Sequence, residues 1–180
     1  MKTVKNILIS LLALAVACAV VFAVSYFTSD LRQDNIQKEH EYMMRLLLPG
    51  SVNFEFEPYA GNDESVLSVH KAENGYVVET AHQGYNGSVI MMVGVNNDGF
   101  VTGLVVRDMN ETIGLGRNAM YDHEFLAQFL NTSGDAKVGE NVDAITGATV
   151  TSKTVQKCIA SAVAIVTGAD TTSTATTWGG

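Results

Sequence analysis

Hydrophobic and polar positions divide the chain into an apolar N-terminal run, a charged segment, alternating strands and a final amphipathic helix. Residues 7–27 carry no charged side chain, and Lys2 and Lys5 precede them. About twenty apolar residues at ~1.5 Å of helix rise each span a hydrocarbon core of ~30 Å. Basic residues before a span stay on the cytoplasmic side. The pattern therefore predicts a cytoplasmic N-terminus at residues 1–6 and a transmembrane helix at residues 7–27.

A cleavable leader is the alternative interpretation of this apolar run. The apolar region of a signal peptide has about 7–15 residues and ends in a small-x-small site. Ala17-Cys18-Ala19 loosely resembles such a site, and residues 15–18 loosely resemble a lipoprotein site. Apolar sequence continues beyond both sites to Phe27, which favours a retained anchor in the lipid bilayer. We therefore expect a single-pass protein of the cell (inner) membrane whose body lies outside the cytoplasm.

Charged residues return after the apolar run. Residues 28–50 mix acidic and basic side chains with apolar ones and end at Pro49-Gly50, a pair that stops helices. This segment is predicted to be a stalk or docking helix.

The next part of the chain alternates in the manner of a sheet. Val52, Phe54 and Phe56 share one face, and Asn74-Gly75 separates two further alternating runs. The strongest hairpin joins residues 88–95 to residues 100–107 through Asn-Asn-Asp-Gly, because Asp-Gly between β-rich runs is a strong turn signal. These patterns predict an antiparallel sheet.

Two helices are predicted after the sheet. Residues 122–131 form a short one with these inward side chains: Phe125, Leu126, Phe129 and Leu130. The last helix has apolar residues at helical spacing from Val155 to Val166 and should end near Thr167-Gly168. Residues 169–180 are rich in Thr, Ser and Gly and are predicted to be a disordered tail. The fold class is therefore α+β: one N-terminal transmembrane helix, then an antiparallel sheet packed by helices at residues 51–168.

Charge and composition exclude several functions. The formal net charge is −8, and no basic stripe is present, so nucleic acid is not an expected partner. The four histidines are scattered without metal-ligand spacing, and iron–sulfur clusters need more cysteines than the two present. Phosphate-binding Walker loops and nucleophile elbows are missing from the sequence. We expect no metal and no catalytic residue, so any redox chemistry belongs to a cofactor.

The most informative stretch is residues 143–152, with the sequence DAITGATVTS, at the start of the last helix. Unpaired backbone N–H groups and about half a positive charge at a helix start stabilise a phosphate. The alternative is that Thr146 or Thr149 simply caps the helix while Gly147 makes a turn. Residue types alone favour this capping interpretation.

The order of these residues resembles the flavinylation motif of FMN-binding domains in Rnf-type and Na⁺-translocating NADH:quinone reductase complexes. The resemblance implies that a flavin transferase, using FAD, esterifies Thr149 to the phosphate of FMN. It also implies a set of residues that the transferase reads: Asp143, Thr146, Gly147 and Ala148. Thr151 and Ser152 follow directly and are predicted to belong to the same cofactor site.

Two other stretches resemble the same family. Residues 84–87, Gly-Tyr-Asn-Gly, match its Gly-Tyr-x-Gly, which implies a cofactor contact at Tyr85 and Gly87. Residues 110–116 resemble its Glu-Thr-Pro-Gly-Leu-Gly segment, which lines the flavin, although Ile113 replaces the proline. The matching residues are Glu111, Thr112, Leu115 and Gly116. From the residues alone, an ordinary turn explains residues 110–116 equally well, and a plain strand connection is the alternative for Gly84 and Gly87.

The resemblance covers about residues 76–166 and is greatest to the G subunit of the Rnf ion-translocating ferredoxin:NAD⁺ oxidoreductase. It implies an extracytoplasmic FMN-binding domain that transfers electrons among the membrane and redox subunits of the complex. One alternative is a flavinylated subunit of another membrane electron chain, such as the Na⁺-translocating NADH:quinone reductase or extracellular electron transfer. Another is a membrane-anchored binding or scaffold domain without redox function.

Overall fold

The computed structural model describes residues 2–112 and 116–169. The chain divides into two compact units, one that ends at Tyr42 and one that begins at Met43. Helix α1, Lys2–Leu47, supplies the described residues of the first unit and the first residues of the second. The predicted tail at residues 170–180 and three residues of the predicted flavin-lining segment, 113–115, lie outside the described residues.

Large apolar side chains are exposed along the N-terminal part of α1, and Phe22 is 76% exposed. In the part of the chain that the structure describes, no helix is both long enough and apolar enough to cross a membrane. The helical conformation of residues 7–27 is confirmed, whereas the predicted membrane span is not confirmed. The apolar residues belong to one 46-residue helix that continues through the charged positions as far as Leu47.

Five strands form one antiparallel meander in the order β1-β2-β3-β4-β5. Their bounds are β1 Glu55–Glu57, β2 Val66–Ala72, β3 Gly75–Gln83, β4 Ser88–Asn96 and β5 Val101–Met109. The hairpins predicted at Asn74-Gly75 and at residues 96–99 are both confirmed. The first strand is shorter than its alternation indicated, and Val52 and Phe56 are exposed, because β1 is an edge strand with a single partner.

The two faces of the sheet are covered by different parts of the second unit. Val77 and Met92 pack with the end of α1, through Met44, Leu47 and Leu48. Thr102 Oγ1 donates a hydrogen bond of 2.6 Å to the Leu47 carbonyl. Gly94 and Gly103 are paired across β4 and β5, and a Cβ on either would collide with the Leu47 backbone. The missing side chains let the helix end lie directly on the sheet.

Helix α3, Thr149–Thr167, covers the opposite face. Adjacent residues of a strand point to opposite faces, so Val78, Met91 and Val93 face α3 and pack with Val155, Cys158, Ile159 and Ala162. Gly168 ends α3 in a left-handed conformation with φ of +68°, as predicted. The final helix and its buried face are therefore confirmed.

Between β5 and α3 lie a 3₁₀ helix, Gly116–Met120, and the short helix α2, His123–Ala127. Asp122 caps α2, because its Oδ1 accepts a hydrogen bond of 2.9 Å from Phe125 N. Phe125, Leu126 and Phe129 are buried as predicted, but Leu130 is 40% exposed. The helix ends at Ala127, which is earlier than predicted, and the following turn directs Leu130 outward.

Candidate functional site

Three stretches that are distant in the sequence meet around a cavity of about 430 Å³, which we call the smaller cavity. One is the turn after β3, one follows β5, and one is the start of α3. Its lining residues are Tyr85, Glu111, Thr112, Gly116, Gly147, Ala148, Thr149, Val150 and Thr151. The tertiary structure thus unites the three stretches that the sequence singled out separately.

Glu111 holds the turn after β3 in place. Its side chain is only 6% exposed, and its Oε1 accepts a hydrogen bond of 2.6 Å from Tyr85 N. Asn86 N lies 3.4 Å from Oε1 and 3.3 Å from Oε2. A carboxylate that accepts backbone N–H bonds can be buried at little cost, because its charge is compensated by these donors. Glu111 therefore positions Tyr85, whose own side chain is 75% exposed.

Gly116 brings the residues after β5 against the first turn of α3. A Cβ at this position would collide with Thr151 Oγ1 and approach Glu111 Oε2 to 3.2 Å. Thr151 is buried, and its hydroxyl has no hydrogen-bond partner among the described residues. The absence of a side chain at Gly116 thus allows Glu111 and Thr151 to border the same cavity.

Thr149 is the first residue of α3, and its side chain does not cap the helix. The N-cap residue is Ala148, which makes no side-chain capping hydrogen bond. Thr149 is exposed, and in the described part of the chain its hydroxyl has no hydrogen-bond partner. The interpretation of Thr146 or Thr149 as a simple cap is therefore wrong, whereas the turn at Gly147, with φ of +77°, is confirmed.

Ser152 stabilises the turn that precedes α3. Its fully buried Oγ accepts a hydrogen bond of 3.1 Å from Ile145 N and donates one of 3.0 Å to the Ala148 carbonyl. These bonds tie the turn at residues 145–148 to the first turn of the helix. The Thr149 hydroxyl takes no part in them.

The predicted site residues that the structure describes fall into three groups. Eight of them line the smaller cavity: Tyr85, Glu111, Thr112, Gly116, Gly147, Ala148, Thr149 and Thr151. Gly87 and Ser152 are buried behind it, and Asp143 and Thr146 are exposed beside it. Leu115 lies outside the described residues. Asp143 and Thr146 are therefore accessible to another protein that binds at the surface of this segment.

A second cavity, which we call the larger cavity, has a volume of about 700 Å³ and also contacts Tyr85, Thr149 and Val150. Its remaining lining residues are Gln83, Gly84, Lys153, Thr154 and Lys157. The sequence analysis did not select the two lysines as site residues. The signal was present, because residues four positions apart share one helix face, and Thr149, Lys153 and Lys157 form such a series.

A polar network lies elsewhere between β3 and α3. Ser161 Oγ lies 3.0 Å from both His82 Nε2 and Ser65 Oγ, and Ser65 Oγ donates a hydrogen bond of 2.6 Å to Asp63 Oδ1. Burial lowers the pKa of His82 from its ordinary value of 6.5, Asp63 opposes this shift, and Lys157 adds to it. The lowered pKa favours the neutral form of the His82 ring, which shares a hydrogen bond with Ser161 Oγ.

Neither the free thiol nor a metal accounts for the site. Burial raises the pKa of Cys158 to about 12, so the thiol stays protonated and unreactive in the core. Over residues 2–112 and 116–169, no three His, Cys, Asp or Glu side chains are grouped so that they could hold a metal ion.

Comparison with known proteins assigns the chain to a family. An FMN-binding domain matches residues 84–164, which include the turn after β3, the residues after β5 and most of α3. Thr149 and every lining residue of the two cavities except Gln83 lie inside this domain.

Three relatives match over most of their length. The G subunit of the proton-translocating ferredoxin:NAD⁺ oxidoreductase complex of Clostridium ljungdahlii is 33% identical over 82% of this chain and 83% of the relative. The G subunit of the ion-translocating oxidoreductase complex of Methanosarcina acetivorans is 28% identical over 90% of this chain and 94% of the relative. The G subunit of the Na⁺-translocating ferredoxin:NAD⁺ oxidoreductase complex of Acetobacterium woodii is 28% identical over 78% of this chain and 80% of the relative.

These relatives are subunits of a redox enzyme complex, and the resemblance found in residues 143–152 points to the same group. The chain belongs to the family formed by the G subunits of ion-translocating ferredoxin:NAD⁺ oxidoreductase complexes and contains the FMN-binding domain of that family.

Proposed function

We propose that this chain is the flavin-carrying electron-transfer subunit of an Rnf-type complex, with FMN esterified to Thr149 through its phosphate. The observation that carries the proposal is the state of the Thr149 hydroxyl. It is exposed, it has no hydrogen-bond partner among the described residues, and it lies between two cavities at the start of a 19-residue helix.

The start of α3 suits a phosphate ester. The first backbone N–H groups of a helix have no partner within it, and the aligned peptide dipoles add about half a positive charge there. A phosphate on Thr149 is therefore stabilised by the backbone itself. The residues present fit FMN in this respect, since the ester oxygen, the helix end and room for a flat ring adjoin one another.

Attachment needs an activated phosphate and a base, because a threonine hydroxyl is a weak nucleophile. A flavin transferase supplies both in this proposal. The bond from Thr149 Oγ1 to the FMN phosphorus forms, the pyrophosphate bond of FAD breaks, AMP leaves, and the hydroxyl proton passes to a base of the transferase. The exposed Asp143 and Thr146 are where we expect the transferase to bind this chain.

Once bound, FMN supplies the electron-transfer chemistry, and the protein holds and orients it. Glu111 fixes the turn that presents Tyr85 between the cavities, and Ser152 fixes the turn that presents Thr149. No proton transfer by a side chain of this domain is required.

The partners follow from the family. The relatives belong to multisubunit complexes, and we propose that this chain binds the other membrane and redox subunits of such a complex. The exposed apolar side chains of α1 support this, since a large contiguous apolar surface marks a protein or membrane contact. We propose that these subunits and the surrounding lipid cover them, with the flavin domain on the extracytoplasmic side.

The test is expression of the full chain with and without a flavin transferase, followed by a denaturing gel under ultraviolet light and peptide mass spectrometry. We expect a fluorescent band only with the transferase, and a Thr149 peptide heavier by one FMN less one water. A dark band of unmodified mass in the presence of active transferase would overturn the proposal.

A further inference from the structure

We propose that a third cavity, near the C-terminal end of α3, binds the guanidinium group of an arginine side chain from a neighbouring subunit. The cavity has a volume of about 360 Å³, and we call it the acidic cavity. Among the residues that border it are Glu57, Tyr59, Asp63, Ser161, Ala164 and Ile165. The inference goes beyond the proposed function, because it concerns a contact with a partner and does not depend on FMN.

The acidic cavity is separate from the site around Thr149. It shares no lining residue with the smaller or the larger cavity. Ser161 follows Thr149 by twelve positions in α3, which corresponds to about 18 Å along the helix at ~1.5 Å of rise per residue. A partner side chain in the acidic cavity therefore leaves the Thr149 hydroxyl accessible.

The loop between β1 and β2 forms the outer wall of the acidic cavity. Asp63 N donates a hydrogen bond of 3.3 Å to the Tyr59 hydroxyl. A Cβ on Gly61 would collide with the Tyr59 ring, so the missing side chain lets the ring lie against the loop. Val69 and Ser161, each 3% exposed, form the floor. Pockets that hold small ligands have volumes of about 300–1,000 Å³, so this cavity suits a single long side chain.

The polar groups of the lining favour a cation. Glu57 and Asp63 contribute carboxylates, and no lysine, arginine or histidine is found among the described lining residues. Lys71 Nζ lies 4.0 Å from Glu57 Oε2, but both side chains are about half exposed. Ion pairs that water reaches contribute little, so a bound guanidinium can replace Lys71 as the partner of Glu57.

The end of α3 adds negative charge that is independent of the carboxylates. Aligned peptide dipoles place about half a negative charge at the C-terminus of a helix. Many helices compensate this charge with a basic side chain in the last turn, but α3 has none there. Ala164 and Ile165, which border the acidic cavity, belong to this turn. A cation in the cavity therefore supplies the compensation that the helix itself lacks.

The chemistry of the lining favours arginine over lysine. A guanidinium group is planar, pairs with carboxylates through two parallel hydrogen bonds and stacks on aromatic faces, whereas an ammonium group is a point charge. The acidic cavity offers carboxylates together with the Tyr59 ring. The formal net charge of −8 also favours a partner with a basic surface, since complementary charges orient two proteins as they associate.

The first experiment is an NMR titration of the full chain with butylguanidinium, which carries the end group of arginine. Butylurea has nearly the same shape without the charge. The signals to follow are the Ser161 amide and the His82 ring, whose Nε2 lies 3.0 Å from Ser161 Oγ. Asp63→Asn and Glu57→Gln each remove one carboxylate from the lining. Glu64→Gln is the matched control, because Glu64 is exposed in the same loop and does not border the cavity.

We expect saturable shifts with butylguanidinium and none with butylurea at the same concentrations. Asp63→Asn and Glu57→Gln should each weaken binding about fivefold or more, and Glu64→Gln by less than about twofold. Glu57→Gln keeps the test valid if Asp63→Asn disturbs the loop. The inference is overturned by an absence of saturable shifts, by equal binding of butylurea, or by an effect of Glu64→Gln as large as that of Glu57→Gln.

The second experiment identifies the source of the guanidinium group. Carbodiimide labelling of carboxylates is compared by mass spectrometry in the isolated chain and in the complex assembled with its neighbouring subunits. We expect labelling of Glu57 to fall severalfold in the complex while labelling of Glu64 stays the same. Equal labelling of Glu57 in both forms overturns the assignment to a partner subunit, even where butylguanidinium binds. A chain that forms no complex counts against the proposed function, and the titration then still tests the cavity by itself.

Discussion

The carboxylate of Glu111 and the backbone amide of Tyr85 are joined by a hydrogen bond of 2.6 Å, although the two residues are 26 positions apart. This bond ties the segment after β5 to the turn after β3. The two segments flank the β4–β5 hairpin in the sequence and meet at its open end. It fixes the position of Tyr85 between the two cavities that adjoin Thr149. The site is therefore built on a buried charge whose partners are backbone groups.

Removal of this carboxylate should destabilise the domain. Hydrogen bonds to charged groups contribute about 1.5–3 kcal/mol each, and loss of the acceptor leaves Tyr85 N without its partner. We expect Glu111→Ala to lower the free energy of unfolding by about 2–3 kcal/mol in chemical denaturation, and Glu111→Gln to lower it less. Glu140→Ala, which removes only an exposed ion pair, should cost less than about 1 kcal/mol. Equal losses in Glu111→Ala and Glu140→Ala would show that the Glu111 bonds add no stability.

Substitution of Thr149 should separate flavin attachment from helix stability. Since Thr149 does not cap α3, Thr149→Ala should change the free energy of unfolding by less than about 0.5 kcal/mol while it abolishes covalent FMN. Thr167→Ala, at the other end of the same helix, should retain the flavin. Peptide mass spectrometry and denaturation of the same samples provide both readings. Covalent flavin on the Thr149→Ala protein would mean that another residue is the acceptor.

Ser152 should matter for stability more than its small side chain suggests. Ser152→Ala removes the acceptor of Ile145 N in a buried position, and an unsatisfied buried group costs about 1–3 kcal/mol. We expect a stability loss in this range, together with slower flavin loading, because the turn before Thr149 loosens. Exposed Ser133→Ala should stay within about 0.5 kcal/mol of the parent protein. If both variants unfold at the same denaturant concentration, the bonds of Ser152 do not stabilise the turn.

His82 should make stability depend on pH in a defined direction. Its pKa is lowered in the folded state by burial, so the unfolded chain binds more protons in the window just below the ordinary pKa of 6.5. Stability is then fully present above pH 6.5 and falls as the pH drops through that window toward the folded pKa. Unfolding measured between about pH 5 and 8 should show this fall in the parent protein and a smaller one in His82→Gln. His123→Gln, at an exposed position, should leave the loss of stability at low pH unchanged. If His82→Gln had the same pH profile as the parent protein, His82 would not be the source of this loss.

The elements that depend on local sequence were predicted well. Asn74-Gly75 and residues 96–99 specify their own turns, because the backbone angles of a tight turn limit the residues that can occupy it. The apolar series from Val155 to Val163 specified the buried face of α3, and Gly168 specified the C-terminal end of this helix. The motif around Thr149 likewise indicated the family from a few adjacent residues.

The rest was decided by contacts between residues far apart in the chain. The sequence could not show that Ser152 rather than Thr149 stabilises the helix start, because that depends on where Ile145 N lies after folding. Nor could it show that Glu111 meets the turn at Tyr85, or that Lys153 and Lys157 face a cavity shared with Thr149. Local preferences set turns and helix faces, whereas packing across the sheet brings three separate stretches together, and that packing created the site.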